Sequence, residues 1–372
     1  MNDFDASRRA FIEQSATLMA GAVMWRNRPL ADFSALGMQK PLGVALVGLG
    51  SLSTNQIAPA LLKTTNCRLA GIVTGTPAKA EKWKAQYGIP DKSIYNYTTM
   101  ERMADNSDID IVYVVTPNAL HAEHTIKAAH AGKHVLCEKP MEVSVERCEA
   151  MIAASKKAGR QLAIGYRCQF EPHHLEVARI AKSRVLGSVK MIEAGFGFTI
   201  GDPTQWRLNK ALAGGGPMMD VGIYALQSTR MITGEEPIAV SAMEVKTDPV
   251  KFKDVEESMT FQLTFPGGVI ASCRTTYNAN GTNRVTAFTQ RGGFGLEPAY
   301  NYDGIRGWRS DNVPLRYEPI DMFVAELDDF ATRIMTNTPT KVPGEEGLRD
   351  VRILMAAYES ARTGRTIKLV SS

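Results

Sequence analysis

The feature that most limits how this chain can fold is a repeat of short, nearly uninterrupted apolar runs separated by helix-length segments. Residues 43–50 read GVALVGLG, and comparable runs recur over 68–74, at IYNY, at IDIVYVVTP, at HVLCEKP and at QLAIGYR. Helical patterns fill the gaps at 55–62, 78–87, 119–131 and 144–158. Strands that stay apolar on both faces suit a parallel sheet, because its crossover helices cover both sides. The pattern predicts an α/β domain over 42–165, built on a doubly wound parallel sheet.

Ligands of such sheets collect beyond the carboxyl ends of the strands. The first strand runs into Gly48-x-Gly50-x-x-Ser53. Gly48 and Gly50 permit a tight turn and a close approach of pyrophosphate to the loop, Ser51 and Leu52 included. The helix that follows points its positive end at the phosphates. NAD binders place Asp or Glu at the end of the second strand, to hold the ribose 2′-hydroxyl. Here that end reads Val73-Thr74-Gly75-Thr76-Pro77-Ala78-Lys79, with no acid and a lysine close behind. A hydroxyl plus a cation suits a 2′-phosphate, so the expected cofactor is NADP. Thr116-Pro117-Asn118, Glu138-Lys139-Pro140 and Tyr166-Arg167 fall at later strand ends and join the candidate site.

From Ser188 the pattern changes to long alternating strands: SVKMIEAGFGFTI, IAVSAMEVK, SMTFQLTFPGGVIASCRTTYN and NRVTAFTQRGG. Residues 166–372 are therefore expected to form an α+β domain with a large, open, mostly antiparallel sheet. One face of it would meet the nucleotide domain and the other is available to a second subunit. Within it lies GGGPMMDVGIYALQSTR, residues 214–230. Its three glycines are expected to free the backbone near a ligand. Asp220 and Tyr224 are four apart and so are expected to share one helix face. A surface Asp on an ordinary amphipathic helix remains the alternative.

At 372 residues the chain suits two domains. Its net charge of +4 with no basic run gives no sign of nucleic-acid binding. Six histidines and five cysteines show neither CxxC nor HExxH, so no metal is expected, and the cysteines read as small buried hydrophobes. Ser7-Arg8-Arg9-Ala10-Phe11-Ile12 followed by SATLMAGAVMW resembles a twin-arginine export signal over residues 1–25. The run is too short for a bilayer anchor. Residues 26–41 read as an extended arm, and the expected location is periplasmic, or cytoplasmic if the signal does not function.

The GLG loop, VTPNALH, AGKHVLCEKPM, GYR, QWRL and GGGPMMDVGIY, in that order, resemble the Gfo/Idh/MocA family of nicotinamide-dependent oxidoreductases over residues 42–368. Tyr224 stands where most of that family carries His. With QWRL, GEEP, GEEGLRDVR and YESARTGR, that tyrosine is similar to the glucose–fructose oxidoreductase branch. The arm here is shorter than the proline-rich arm of that branch and carries only Pro29 and Pro41.

The resemblance implies that Lys139 lies in the active site, that Tyr224 is the acid–base group and that Asp220 binds the sugar or positions Tyr224. A lysine ammonium within about 4–6 Å would favour the phenolate and lower the tyrosine's pKa. Glu138 is expected to orient Lys139 or the ribose. Thr74, Gly75, Lys79 and Tyr97 are expected around the adenosine phosphate, with Thr116, Pro117, Asn118 and His121 after the fourth strand. His121 reads equally well as an ordinary helix histidine. Arg167, Trp206 and Arg207 would line cofactor or substrate, with core packing the alternative for Trp206. Tyr302 and Trp308 occupy a glycine-rich loop placed to face the sugar.

The implied reaction oxidises an aldose at C1 to its lactone and passes hydride to a second sugar through tightly held NADP. Alternatives are an aldose dehydrogenase with exchangeable NADP, an NAD-dependent redox-assisted glycoside hydrolase, and a non-catalytic sugar sensor. The expected partners are small-molecule sugars, with the chain assembled as a homodimer or homotetramer.

Overall fold

A computed structural model describes residues 40–369. The twin-arginine segment, and the arm apart from Lys40 and Pro41, lie outside the described residues. Six strands form the first sheet: β1 (Leu42–Val47), β2 (Cys67–Val73), β3 (Ile94–Tyr95), β4 (Ile111–Val114), β5 (His134–Glu138) and β6 (Leu162–Gly165). They are ordered β3-β2-β1-β4-β5-β6 and every pair is parallel. Their crossovers carry helices α1 (Ala58–Leu61), α2 (Pro77–Tyr87), α3 (His121–His130) and α4 (Val145–Lys157). Val44–Val47 and all of β4 are fully buried, as strands covered on both faces must be. The chain order reverses between β1 and β4, which opens a crevice above their carboxyl ends.

The loop at that crevice has a steric reason for its first glycine. Gly48 has φ +92°, and a Cβ there would sit 2.8 Å from the Val115 carbonyl oxygen. Ser53 takes the place of the usual third glycine and donates its hydroxyl to the Gly48 carbonyl at 2.6 Å. The serine thus ties the turn shut from inside. A wide π-helical turn, Ser53–Ile57, then leads into α1.

The second sheet has eight strands: β7 (Val189–Gly197), β8 (Ala239–Val245), β9 (Ser258–Thr264), β10 (Ile270–Thr276), β11 (Asn283–Thr289), β12 (Gly292–Leu296), β13 (Gly307–Arg309) and β14 (Ile367–Lys368). Their order is β13-β12-β11-β7-β10-β9-β8-β14. Only β7 and β10 run parallel; the other pairs are antiparallel. Alternation along β9 buries Met259, Phe261 and Leu263 and exposes Thr260, Gln262 and Thr264. The buried face is covered by α5 (Pro172–Ser183) and α7 (Ile223–Thr233), reached through the short α6 (Lys210–Ala213). Helix α8 (Met322–Met335) packs against β2 and α1, and α9 (Gly344–Thr363) bridges α4 and β6 on one side to β8 on the other. Among the described residues no helix is long and apolar enough to cross a membrane.

Candidate active site

Strand β5 ends in Glu138, and the next residue, Lys139, stands at the crevice with a cis peptide to Pro140. The Lys139 ammonium donates to the Asp220 carbonyl at 2.6 Å and lies 3.5 Å from the Asp220 carboxylate. The other carboxylate oxygen of Asp220 accepts from Arg207 Nε at 3.0 Å and from the Tyr277 hydroxyl at 2.8 Å. Burial pushes the Asp220 carboxyl up, but Arg207, Lys139 and Tyr277 together outweigh it and hold the pKa at about 2. Asp220 is therefore an ionised carboxylate throughout the neutral range.

Tyr224 begins the same face from the other side. Its hydroxyl accepts from Arg167 Nε at 3.1 Å, and its ring centroid lies 4.6 Å below the Lys139 ammonium. Phe196 and Tyr300 flank the ring, each with its centroid 5.6 Å away. Arg167 is itself fixed: it donates to the carbonyls of Tyr300 at 2.6 Å and Asn301 at 3.1 Å, and its guanidinium stacks 4.7 Å from the Tyr302 ring. Burial pushes the Tyr224 hydroxyl above its ordinary value, and Arg167 is the group that works hardest against this.

Asp220, on the π-helical turn Met218–Gly222, and Tyr224, on α7 directly beyond it, both meet the Lys139 ammonium. Three expectations are corrected here. Asp220 anchors Lys139 and Arg207; Arg167, not Asp220, holds the tyrosine. The lysine is within the expected distance of the ring, yet burial still leaves the tyrosine raised rather than lowered. The three glycines serve packing more than ligand access. A Cβ on Gly215 would lie 1.9 Å from the Tyr358 hydroxyl, and one on Gly216 would lie 2.3 Å from the Glu256 carbonyl oxygen.

Glu256 was not legible as a site residue, yet it sets this turn. Its buried carboxylate accepts from the backbone of Gly216 at 2.8 Å and Met218 at 3.0 Å, and from the Tyr358 hydroxyl at 2.8 Å. Tyr277 was also missed; nothing in TTYN marks its hydroxyl as a partner of Asp220. Glu138 accepts from the Tyr113 hydroxyl at 2.7 Å beside Glu326, and burial pushes its carboxyl up against the opposing charges of Lys139 and Arg167.

On the nucleotide side, Lys79 donates to the Leu49 carbonyl at 3.3 Å, which brings its cation to the glycine loop. Gly50 is open: a Cβ there would meet nothing within 4 Å. Ser51 accepts from Asn55 at 3.0 Å and Leu52 precedes the π-helical turn. Thr74 receives the Thr76 amide at 3.2 Å, and the Tyr97 ring covers Gly75, 3.1 Å from where a Cβ would stand. With no acid at the end of β2 and a lysine on the loop, these residues fit a 2′-phosphorylated dinucleotide.

Across the switch point, His121 is buried between two carbonyls, 3.0 Å from Pro140 and 2.8 Å from Thr116. It brackets the loop of Thr116 and Pro117 to the lysine turn, so it positions rather than contacts. Thr116 also meets His124 at 3.1 Å. Asn118 spends its amide on the Ala213 carbonyl at 2.9 Å, tying this loop to α6. Trp206 underlies the Arg207 guanidinium at 4.7 Å, which places the pair with Asp220 rather than with the nucleotide loop. Tyr302 caps Arg167 at the mouth, whereas Trp308 lies on the edge strand β13, outside the cluster.

Residues 42–166 match the GFO/IDH/MocA oxidoreductase family, NAD-binding Rossmann fold, and residues 174–294 match the GFO/IDH/MocA C-terminal domain. The aldose-aldose oxidoreductase of Caulobacter crescentus, solved with glycerol, is 46% identical with a TM-score of 0.86, covering 89% of this chain and 100% of that one. The D-xylose 1-dehydrogenase (NADP(+)) of Haloarcula marismortui is 32% identical over 354 residues, 93% of this chain and 96% of that enzyme. A second D-xylose 1-dehydrogenase (NADP(+)), from Haloferax volcanii, is 28% identical over 331 residues, 87% of this chain and 98% of its own length.

Proposed function

Because the chain belongs to the GFO/IDH/MocA oxidoreductase family, we propose that it oxidises an aldose at C1 to the aldonolactone with NADP and returns the hydride to a second sugar. The observation that carries this reading is the tyrosine hydroxyl fixed by Arg167 beside a Lys139–Asp220 pair, all at the carboxyl edge of the parallel sheet. The NADP relatives and the Lys79 contact with the glycine loop support the choice of nucleotide.

Bound NADP supplies the hydride acceptor and, once reduced, the hydride donor. The chain supplies everything that handles the proton. Tyr224 takes the C1 hydroxyl proton in the oxidative half and gives it back to the second sugar's carbonyl. Arg167 favours the phenolate, and Lys139 polarises the sugar oxygen. Asp220 keeps Lys139 and Arg207 aimed at the crevice. Tyr302 and Trp206 border the same mouth and suit contact with a sugar.

Desalted protein mixed with glucose, with no nucleotide supplied, tests the reading by absorbance. A reduced-nicotinamide band that a second sugar abolishes supports hydride transfer between sugars. A band only after NADP is added means an aldose dehydrogenase with exchangeable cofactor, as the xylose dehydrogenase relatives would suggest. Silence in both, with a glycoside cleaved instead, overturns the proposal.

The chain acts outside the cytoplasm in this reading, supported by Ser7-Arg8-Arg9 and the run behind it. Replacing Arg8 and Arg9 by Lys and fractionating cells tests it; unchanged periplasmic activity would refute it. Assembly as a homodimer or homotetramer is supported by the outer sheet face, where Ile270, Met191 and Phe288 stand in register across β10, β7 and β11 and are all exposed. Light scattering that gives a monomer mass would refute it.

A further inference from the structure

Behind Tyr224 lies a second cluster of reactive groups that the proposed chemistry does not use. Cys168 sits on the turn Arg167–Phe170, and Glu171 caps the next helix, α5. One Glu171 oxygen accepts from the His174 amide at 2.9 Å and stands 2.8 Å from His174 Nδ1; the other stands 2.7 Å from His173 Nδ1. The carboxylate thereby fixes the His174 ring and leaves Nε2 as its working nitrogen. His174 is 2% exposed, and its Nε2 is buried with no hydrogen-bond partner. Such an atom is costly to leave unpaired.

His174 and Cys168 line one cavity, together with Tyr224, Lys139, Gln227 and Met231. Its volume is about 20 Å³, room for roughly one water. The remaining cysteines provide a comparison inside the same molecule. Cys67, Cys137, Cys148 and Cys273 are buried, and Cys168 is the one cysteine that is not fully so. Burial pushes the Cys67 thiol up to about 12 and raises the thiols of Cys137, Cys148 and Cys273 as well. At Cys168 burial acts in the same direction, but His174 and Arg167 outweigh it and leave the thiol below its ordinary value. His174 is reciprocally lifted to about 9: burial lowers it, and Cys168 and Glu171 more than compensate.

We propose that Cys168 is a modification site, a thiol activated by the Glu171–His174 pair to react with hydrogen peroxide, whose oxidation slows turnover by filling the cavity behind Tyr224. The thiolate sulfur attacks one peroxide oxygen; the S–O bond forms as the O–O bond breaks. The leaving hydroxide takes the His174 Nε2 proton and departs as water, so sulfur is oxidised to the sulfenic acid and peroxide is reduced. Small size matters, because the added oxygen is about what the cavity holds. The second half of the proposal rests on Tyr224 as the acid–base group; the first half does not.

The test treats the native protein with hydrogen peroxide in the presence of dimedone, which traps sulfenic acids, and maps the adducts by mass spectrometry. The adduct is expected on Cys168 and not on Cys67, Cys137, Cys148 or Cys273. In parallel samples without dimedone, turnover should fall by more than half and return on adding dithiothreitol. Cys168→Ser should keep its turnover under the same peroxide, and His174→Gln should form the adduct about tenfold more slowly or worse. No adduct on Cys168, or equal labelling of the buried thiols, overturns the site, and this readout needs no active enzyme. Labelling of Cys168 with turnover unchanged, or equal loss of turnover in Cys168→Ser, overturns the link to Tyr224.

Discussion

Asp220 and Tyr224 are four residues apart and both are partly buried at the same crevice, yet their ionisable groups are driven in opposite directions. The Asp220 carboxyl is held at about 2, while the Tyr224 hydroxyl is raised. Burial opposes the charged form of each. What differs is the company. Asp220 has two cations and a hydroxyl within hydrogen-bond reach, whereas Tyr224 has one guanidinium edge, and Lys139 sits over its ring face instead of at its oxygen. The comparison shows that a site tunes its groups by the number and aim of paired charges, with depth common to both. It also gives them separate tasks: a permanent anion that organises cations, and a proton-bearing hydroxyl.

The sharpest way to break the comparison is to remove the hydroxyl. Tyr224→Phe is expected to lower turnover by about 10²–10⁴-fold while NADP binding, followed by fluorescence titration, is retained. Wild-type rates would remove Tyr224 from the chemistry. Asp220→Asn should cost less, about 10–100-fold in turnover, because it leaves Lys139 and Arg207 without their counter-charge but spares the proton carrier. Added to Tyr224→Phe it should cost little more, since the two act on one step; full multiplication of the two losses would show that they act independently.

Arg167→Lys sharpens the other arm. A lysine has no Nε–H to aim at the phenol, so the Tyr224 hydroxyl should rise further. As a base it works only when deprotonated, so the oxidative half should speed with rising pH. The variant should shift that limb upward by about one pH unit; an unmoved limb would assign the tyrosine's control elsewhere. The smallest effect is on stability. Asp220 has a folded pKa below its ordinary 3.8, so its contribution is present above that value and is lost as pH falls towards about 2. The shift corresponds to about 2 kcal/mol. Denaturant unfolding of wild type and Asp220→Asn should therefore converge by about that amount between pH 5 and pH 2. A constant difference would mean that the carboxylate gains nothing from its cations.

Much of the first sheet was legible because its signals are short in sequence. An apolar run, two glycines and a helix specify the loop at Gly48, and a positive φ beside the Val115 carbonyl explains why glycine is needed there. The missing acid after β2 pointed to Lys79, which the fold does bring to that loop. Lys139 was legible because it follows a buried strand at a known edge. The second half was read well as strands, and its site residues were read without the partners that hold them. Spacing of four implied that Asp220 and Tyr224 share a face, and both do meet Lys139, but it carried nothing about Arg167 or Tyr277 as their partners. Glycines read as open backbone proved to be points of close packing on Tyr358 and Glu256.

Periodicity, glycine placement and the edge of the parallel sheet follow from interactions between near neighbours, and the sequence alone determines them here: a dinucleotide crevice with Lys139 on its rim. Partner choice does not follow from near neighbours. Arg167 lies 57 residues from Tyr224, Tyr277 lies 57 from Asp220, and Lys139 lies 81 from Asp220. Buried electrostatics depends on distance and direction at the scale of a single hydrogen bond. No local pattern carries that information, so only the packing of α7 on the second sheet, which sets Tyr224 against Arg167 and Lys139, decided which of the two groups became the anion and which kept its proton.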